Sequence, residues 1–505
     1  MIADGVDLIL WALLAAALLL LASWWTFRSY RRWAKRARGP VSHALPLGAG
    51  TLLDEGFTSD RSGLLALLKN PDAYAARAES AAMAGRSLDL MYYIWRLDTT
   101  GWLLLAEVVK AADRGVRVRL LLDDVNVQGF DRTFLALNQH PRIEVRLFNP
   151  TRSRGHAIRR TVEMLLGIAR FNRRMHGKMW IADGRIAVLG GRNIGDTYFG
   201  ALGSGVRNSH DIDVAAIGPV VQDAERSFDD YWNLGLSLPI LTLWPKFTVS
   251  SAAFRRRIAR HVTRIEARDF IGRKLPEGVL SRRFHFTNQI ELIADPPDKA
   301  YGRRSAPWLV DRLPDILGAA ERDLRLITPY FVPGNEGMEV LTDLAGRGAR
   351  VEMLTNALCT TDMLVVHGAY GRYRLPLLKA GVRMFEYGPI PRRDGRRDLL
   401  HTKLFLIDGK RALIGSVNYD LRSAYMNTEL GLLFEQPEVV AELMAEFDAH
   451  IAPEAAYALE LHEGRHRFRV RRAGLPEVMD RDPEAPPILR AVSWIAGHLP
   501  IQSYL

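Results

Sequence analysis

His176 and Lys178 are separated by one residue, and so are His401 and Lys403. Each pair opens a longer matched stretch. The first is His176-Gly-Lys-Met-Trp-Ile-Ala-Asp-Gly-Arg-Ile-Ala-Val-Leu-Gly-Gly-Arg-Asn193; the second is His401-Thr-Lys-Leu-Phe-Leu-Ile-Asp-Gly-Lys-Arg-Ala-Leu-Ile-Gly-Ser-Val-Asn418. An imidazole beside an ammonium suits an anionic phosphorus centre, the ring as nucleophile or acid and the ammonium as charge clamp. Asn193 and Asn418 add amide donors for phosphate oxygens. Asp183 and Asp408 stand in an Asp-Gly turn and read as structural residues. A lone His-x-Lys reads best as two polar residues on a half-exposed strand. Two full matches in one chain do not.

The elements that must position these residues follow from the same strings. Both copies predict a strand, a tight Asp-Gly turn and a second strand. Side chains alternate along a strand, so each His is expected on one face with its Lys. Gly190-Gly191 and Gly415-Ser416 allow a close backbone approach. Upstream, Leu88–Ile94 and Arg114–Leu122 read as strands around a helix at Trp102–Ala112, and the pattern returns at Leu324–Phe331, 337–345 and Arg347–Leu354. Such alternation argues for an α/β sheet flanked by helices, present twice. Downstream, setting Pro219 against Pro437 pairs Asp211 with Glu429. A carboxylate near each histidine would fix its tautomer and stabilise the protonated ring. The plainer reading is a solvated strand residue.

The 505-residue chain has room for two or three domains, and 48% hydrophobic with 25% charged residues describes a globular protein. A net charge of +11 points to an anionic partner, either nucleic acid or an acidic membrane surface. The single cysteine, Cys359, excludes an intramolecular disulfide and a cysteine metal cage. From Leu8 to Phe27 there is no charge, and Trp11, Trp24 and Trp25 lie near the ends. About 20 residues make a helix of roughly 30 Å, the thickness of a bilayer core. Asp4 and Asp7 before the run disfavour a cleaved signal peptide. Arg28, Arg31, Arg32, Lys35, Arg36 and Arg38 follow it, which places the rest of the chain in the cytoplasm. Two further basic stretches, 152–174 and 251–270, each fit either a helix in a lipid interface or a helix packed on the protein.

The duplicated His-x-Lys-x4-Asp-x6-Gly-[Gly/Ser]-x-Asn pattern resembles the phospholipase D superfamily. Tyr92-Tyr-Ile-Trp95, Arg114–Asp124, His140–Pro150 and Arg173–Gly200 resemble the bacterial cardiolipin synthases, nearest their C-type branch. The likeness covers roughly residues 45 to 450 and the Leu-Pro-Ile ending. It implies two tandem phospholipase D-like α/β/α domains forming a pseudo-two-fold pair around one active site. The expected divisions are an anchor and basic flank at 1–39, a first domain at 40–240, a basic linker at 241–287, a second domain at 288–455 and a tail at 456–505. It further implies a phosphatidyltransferase that works through a phosphatidyl-histidine with a lipid hydroxyl as acceptor. Lys178, Lys403, Asn193 and Asn418 would hold phosphate oxygens; Asp211 and Glu429 would orient the rings. No metal or cofactor is expected. The implied partners are the membrane and anionic phospholipids, phosphatidylglycerol first and phosphatidylethanolamine as a second candidate, with no nucleic acid. The implied location is a bacterial inner membrane, single-pass. The oligomeric state stays open. A hydrolytic phospholipase D, a nuclease of the superfamily and a non-catalytic membrane scaffold are the rival readings.

Overall fold

The computed structural model describes residues 2–48, 60–201, 207–244, 250–272, 275–389, 391, 395–472 and 475–499. Two mixed sheets dominate. The first runs, edge to edge, His285–Thr287, Ser62–Leu67, Asp213–Ile217, Ile186–Gly190, Met179–Ala182, Ser87–Tyr92, Arg117–Asp123, Ile143–Phe148 and Ser237–Pro239. The second runs Ile290–Ala294, Leu430–Glu435, Arg411–Gly415, Leu404–Ile407, Asp323–Ile327, Arg350–Asn356, Arg383–Tyr387, Ala456–His462, Arg465–Arg472 and Leu475–Met479. Six consecutive strands, from Asp213–Ile217 to Ile143–Phe148, have counterparts in the same order from Leu430–Glu435 to Arg383–Tyr387. In each set the last three are parallel and the hairpin strands antiparallel.

The parallel strands read as apolar runs because helices cover both faces. Where a charge interrupts them it is paired: Arg119 meets Asp89 on the neighbouring strand at 2.6 and 2.8 Å. Helix Thr99–Asp113 begins at Asp98, whose carboxylate accepts from the Gly101 N–H at 3.2 Å. Helices Pro219–Trp232 and Pro437–His450 occupy matched places after Asp213–Ile217 and Leu430–Glu435. Their apolar faces, with Met179, Leu189 and Val214 of one sheet and Leu404, Ile414 and Leu432 of the other, form one shared core. The two halves therefore bury apolar surface against each other.

The two basic stretches part company here. Within 251–270, Phe254 and Ile258 are buried in the first half's core and His261 stacks on Trp102, 4.4 Å between centroids. In helix Ala157–Leu166, by contrast, Ile158, Val162 and Leu165 face solvent. Residues 285–287 form an edge strand of the first sheet, and 456–479 supply three strands of the second.

Residues Ile2–Ala37 form one helix, about 54 Å long at 1.5 Å per residue. Its end, through Tyr30 and Ala34, is buried in the shared core. Among the described residues no helix is long and apolar enough to cross a membrane. Most side chains of the expected span at 8–27, up to residue 20, lie outside the described set. Helix Pro487–His498 packs Ser493, Ala496 and Gly497 inward, and Gly497 meets Gly368 so closely that neither has room for a Cβ. Residues 500–505, including most of the Leu-Pro-Ile ending, are outside the described set.

Candidate active site

The histidines do not sit within their strands. Those begin at Met179 and Leu404, one residue after each lysine. The preceding extended residues are instead bonded across the two halves. His176 N–H donates to the Thr428 carbonyl at 2.9 Å, and Met175 bridges Thr428 in parallel. Strand Leu399–Leu400 pairs with Ser209–His210, and His401 N–H donates to the His210 carbonyl at 2.8 Å. In each case the partner segment runs directly into the other half's carboxylate.

The result is a crossed pair of dyads. His176 Nδ1 lies 2.9 and 3.0 Å from the Glu429 carboxylate oxygens, and His401 Nδ1 lies 2.6 Å from Asp211 Oδ2. An ionised carboxylate only accepts, so each Nδ1 carries the proton and each Nε2 is left for chemistry. All four side chains are buried. Glu429 also accepts from the Ser416 hydroxyl at 2.5 Å and the Ser423 hydroxyl at 2.9 Å. Gly191 stands where the second copy has Ser416, and a Cβ there would meet Asp211 Oδ1 at 2.2 Å. The difference between Gly-Gly and Gly-Ser thus follows the difference between aspartate and glutamate.

Both lysines turn back on the histidines. Lys178 Nζ donates to the His176 carbonyl and Lys403 Nζ to that of His401; Lys403 Nζ also lies 2.9 Å from His401 Nδ1. Burial lowers Lys178 to about 7 and Lys403 to about 8. Burial, reinforced by Lys178, Lys403, His401 and Arg422, holds His176 well below the usual histidine range. His401 is lowered by burial and Lys403, with Asp211 opposing. For Asp211, burial pushes upward but Lys403 and His401 outweigh it and hold the carboxyl low; burial raises Glu429.

Asn193 is largely committed to the protein: Oδ1 accepts from Ile94 N–H at 3.1 Å and Nδ2 donates to Tyr198 OH at 3.2 Å. That leaves one amide N–H. Asn418 Oδ1 is buried without a hydrogen-bond partner among the described residues. Asp183 (φ 53°) accepts from the N–H groups of Gly85, Arg86 and Ser87 at 2.8–2.9 Å. Asp408 (φ 54°) does the same for Glu321, Arg322 and Asp323. Each fixes the start of the central strand beside its hairpin. Asp183→Ala should strip three N–H groups of their acceptor and lower unfolding free energy by about 2–4 kcal/mol. Chemical denaturation would measure it, and activity per folded molecule should change little.

Several contributors carry no motif. Tyr93 stands edge-on to His176 and Tyr198 to His401, with centroids 5.0 and 5.4 Å apart. Asp123 accepts from Met175 N–H at 3.1 Å, and Asp295 accepts from Glu429 N–H at 2.8 Å while paired with Lys299. Tyr93, Asp123 and Tyr198 lie in strings the sequence singles out, but Asp295 and Lys299 do not. One set of metal-ligand types, His367, Glu386 and Asp482, exists among the described residues. The Arg374 guanidinium bonds all three, so a cation already fills the place.

Two α/β halves whose His-x-Lys segments meet at crossed carboxylates define a phospholipase D-like enzyme. Residues 79–232 and 313–451 match the family described as cardiolipin synthase, PLD-like domain. The chain is 37% identical to cardiolipin synthase C of Escherichia coli K12, over 87% of this chain and 95% of that protein. It is 25% identical to cardiolipin synthase 1 of Bacillus anthracis, over 78% of this chain and 67% of that one. The chain belongs to the PLD-like cardiolipin synthase family, resembling its C-type branch, and is a phosphatidyltransferase. Among solved structures, phosphatidylserine synthase of Haemophilus influenzae Rd KW20 shares the fold, with a TM-score of 0.60 and 13% identity, over 90% of this chain and 99% of that one.

Proposed function

We propose that the protein is a membrane-anchored cardiolipin synthase acting through a phosphatidyl-histidine. The observation that supports this most is the crossed pairing of each histidine with the other half's carboxylate, which makes one site from two halves. His176 Nε2 attacks the phosphorus of phosphatidylglycerol, forming an N–P bond while the bond to glycerol breaks. His401 gives its Nε2 proton to the departing glycerol oxygen. The hydroxyl of a second phosphatidylglycerol then attacks, passes its proton to His401 and displaces His176, giving cardiolipin. Lys178 and Lys403 hold the non-bridging oxygens, helped by the free N–H of Asn193 and the Asn418 amide. The depression of His176 suits a nucleophile that must be neutral. Asp211 opposes that depression at His401, which suits a group that must carry a proton. No metal or cofactor enters this scheme.

The residues 8–27 span would anchor the chain in a bacterial inner membrane, with residues 28–505 cytoplasmic. The six basic residues just after the span support that orientation. A reporter that is active only in the cytoplasm should work when fused after Leu505; activity only from a periplasmic reporter would reverse the orientation. The activity itself is tested with purified protein on phosphatidylglycerol, with and without phosphatidylethanolamine, and products identified by mass. Cardiolipin is expected; phosphatidate alone would mean hydrolysis.

The lysines set a pH limit. They clamp phosphate only when protonated, and His401, held below the usual histidine range, must also carry its extra proton to act as acid. The ratio kcat/KM should therefore begin to fall as His401 titrates, and fall further as pH rises through about 7 to 8, where Lys178 and Lys403 lose their protons. The acid limb belongs to His176 and should lie well below pH 6.5. A flat profile from pH 7 to 9 would remove the lysines from phosphate binding.

A further inference from the structure

A cavity of about 470 Å³, lined by neither histidine nor their carboxylates, lies where the end of helix Ile2–Ala37 meets both halves. Trp24, Phe27 and Tyr30 line it from that helix, Arg152, Glu163, Arg170 and Arg173 from the first half, and Tyr301 and Gly302 from the second. Three arginines against one glutamate leave it cationic. Arg170 is spent on structure, stacked on the Tyr30 and Phe171 rings at 3.5 and 3.7 Å. Arg173 donates to the carbonyls of Lys299 and Tyr425 and makes no ion pair among the described residues. Burial lowers it with no anion in opposition. The Tyr30 hydroxyl, cut off from solvent, has no hydrogen-bond partner among the described residues. A half-buried guanidinium with no carboxylate partner among the described residues, beside a buried hydroxyl with no partner, calls for an anion with acceptor oxygens.

The wall identifies the source of that anion. Helices Ala157–Leu166 and Ile168–Phe171 form one side, and their outer surface exposes Ile158 (81%), Leu165 (65%) and Ile168 (58%) beside Arg159 and Arg160. Trp24, which also lines the cavity, is 55% exposed, near the end of the uncharged run. Apolar residues outside, arginines inside and tryptophan at the rim is the order of a bilayer interface. We propose that this cavity binds the phosphodiester headgroup of an anionic phospholipid, separately from the reacting site. Its acyl chains would lie along the apolar face of Phe27 and the exposed helix. The proposal rests on the lipid-enzyme reading above.

The test counts lipids on the full chain in detergent by native mass spectrometry, using dihexanoyl phosphatidylglycerol. Turnover is blocked by His176→Ala, so the reacting site and the cavity can each retain a lipid. Two bound lipids are expected, and one after Tyr30→Phe and Arg152→Gln are added. Affinity at the lost site should drop roughly tenfold or more, as for one charge-assisted hydrogen bond. Ala169→Trp, which fills the cavity from an exposed position and leaves the arginines intact, should give the same loss. Equal counts with and without these substitutions overturn the proposal. So does full competition by inorganic phosphate, which would mark a free-anion site, or equal retention of dihexanoyl phosphatidylcholine. Failure of wild-type protein to make cardiolipin is read in the product assay and leaves these counts unchanged.

Discussion

Asp211→Asn and Glu429→Gln should each lower turnover at least a hundredfold while leaving the fold in place. Each carboxylate is buried and bonded to the Nδ1 of the other half's histidine, so an amide there removes the charge and turns one of two acceptor oxygens into a donor, which frees the ring to take the wrong tautomer. A ring with its proton on the wrong nitrogen, or tilted off line, forfeits about 10²–10⁴ in proton transfer or attack. The two losses should differ in character. Asp211 holds His401 against the depression caused by burial and Lys403, so Asp211→Asn should also narrow the pH range over which His401 acts as acid. Ser416 and Ser423 donate to different oxygens of Glu429, so glutamine there costs one of these serine contacts as well as the charge facing His176. Steady-state assays with thermal unfolding as the folding control measure both. Near-normal turnover in either variant would return that carboxylate to a structural role.

The histidines should separate more sharply. Symmetry of sequence does not give symmetry of role, because only one ring can be in line with the bond that breaks. The crossed dyads place Ser416 beside Glu429 on the His176 side and Gly191 beside Asp211 on the His401 side, so the Gly-Gly and Gly-Ser difference does not by itself assign the roles. With a phosphatidyl substrate carrying an activated leaving group such as p-nitrophenol, the acid is scarcely needed. His401→Ala should then still release a stoichiometric burst of nitrophenol and stall. His176→Ala should release none, a loss of the whole covalent route. A burst from His176→Ala and none from His401→Ala would exchange the roles.

How much of this the sequence discloses depends on the range of the interaction. The Asp-Gly hairpins, the αβ alternation and the repeat are local patterns, and the strands fall within a few residues of the expected bounds. The crossed dyads are not local. They depend on two two-residue strands, Ser209–His210 and Leu399–Leu400, and on one bridge, Met175 to Thr428, which no periodicity marks. Asn193 shows the limit of composition. Its amide type suits phosphate, yet most of its bonds go to Ile94 and Tyr198, residues near in space and far from evident in the motif. The helices at 157–166 and 251–262 carry the same basic, amphipathic signature. One buries Phe254 and Ile258 beside Trp102 and the other leaves Ile158 exposed, a choice made by the partner surface rather than by the helix.

Both halves build one site in which His176 takes the phosphatidyl group, and the adduct itself can be located. Wild-type and His401→Ala proteins, mixed with the activated substrate, quenched in base to preserve the N–P bond and digested, can be mapped by peptide mass. A phosphatidyl adduct is expected on the peptide carrying His176, accumulating in His401→Ala and absent from His176→Ala. An adduct on His401, or none on either histidine while product forms, would contradict it.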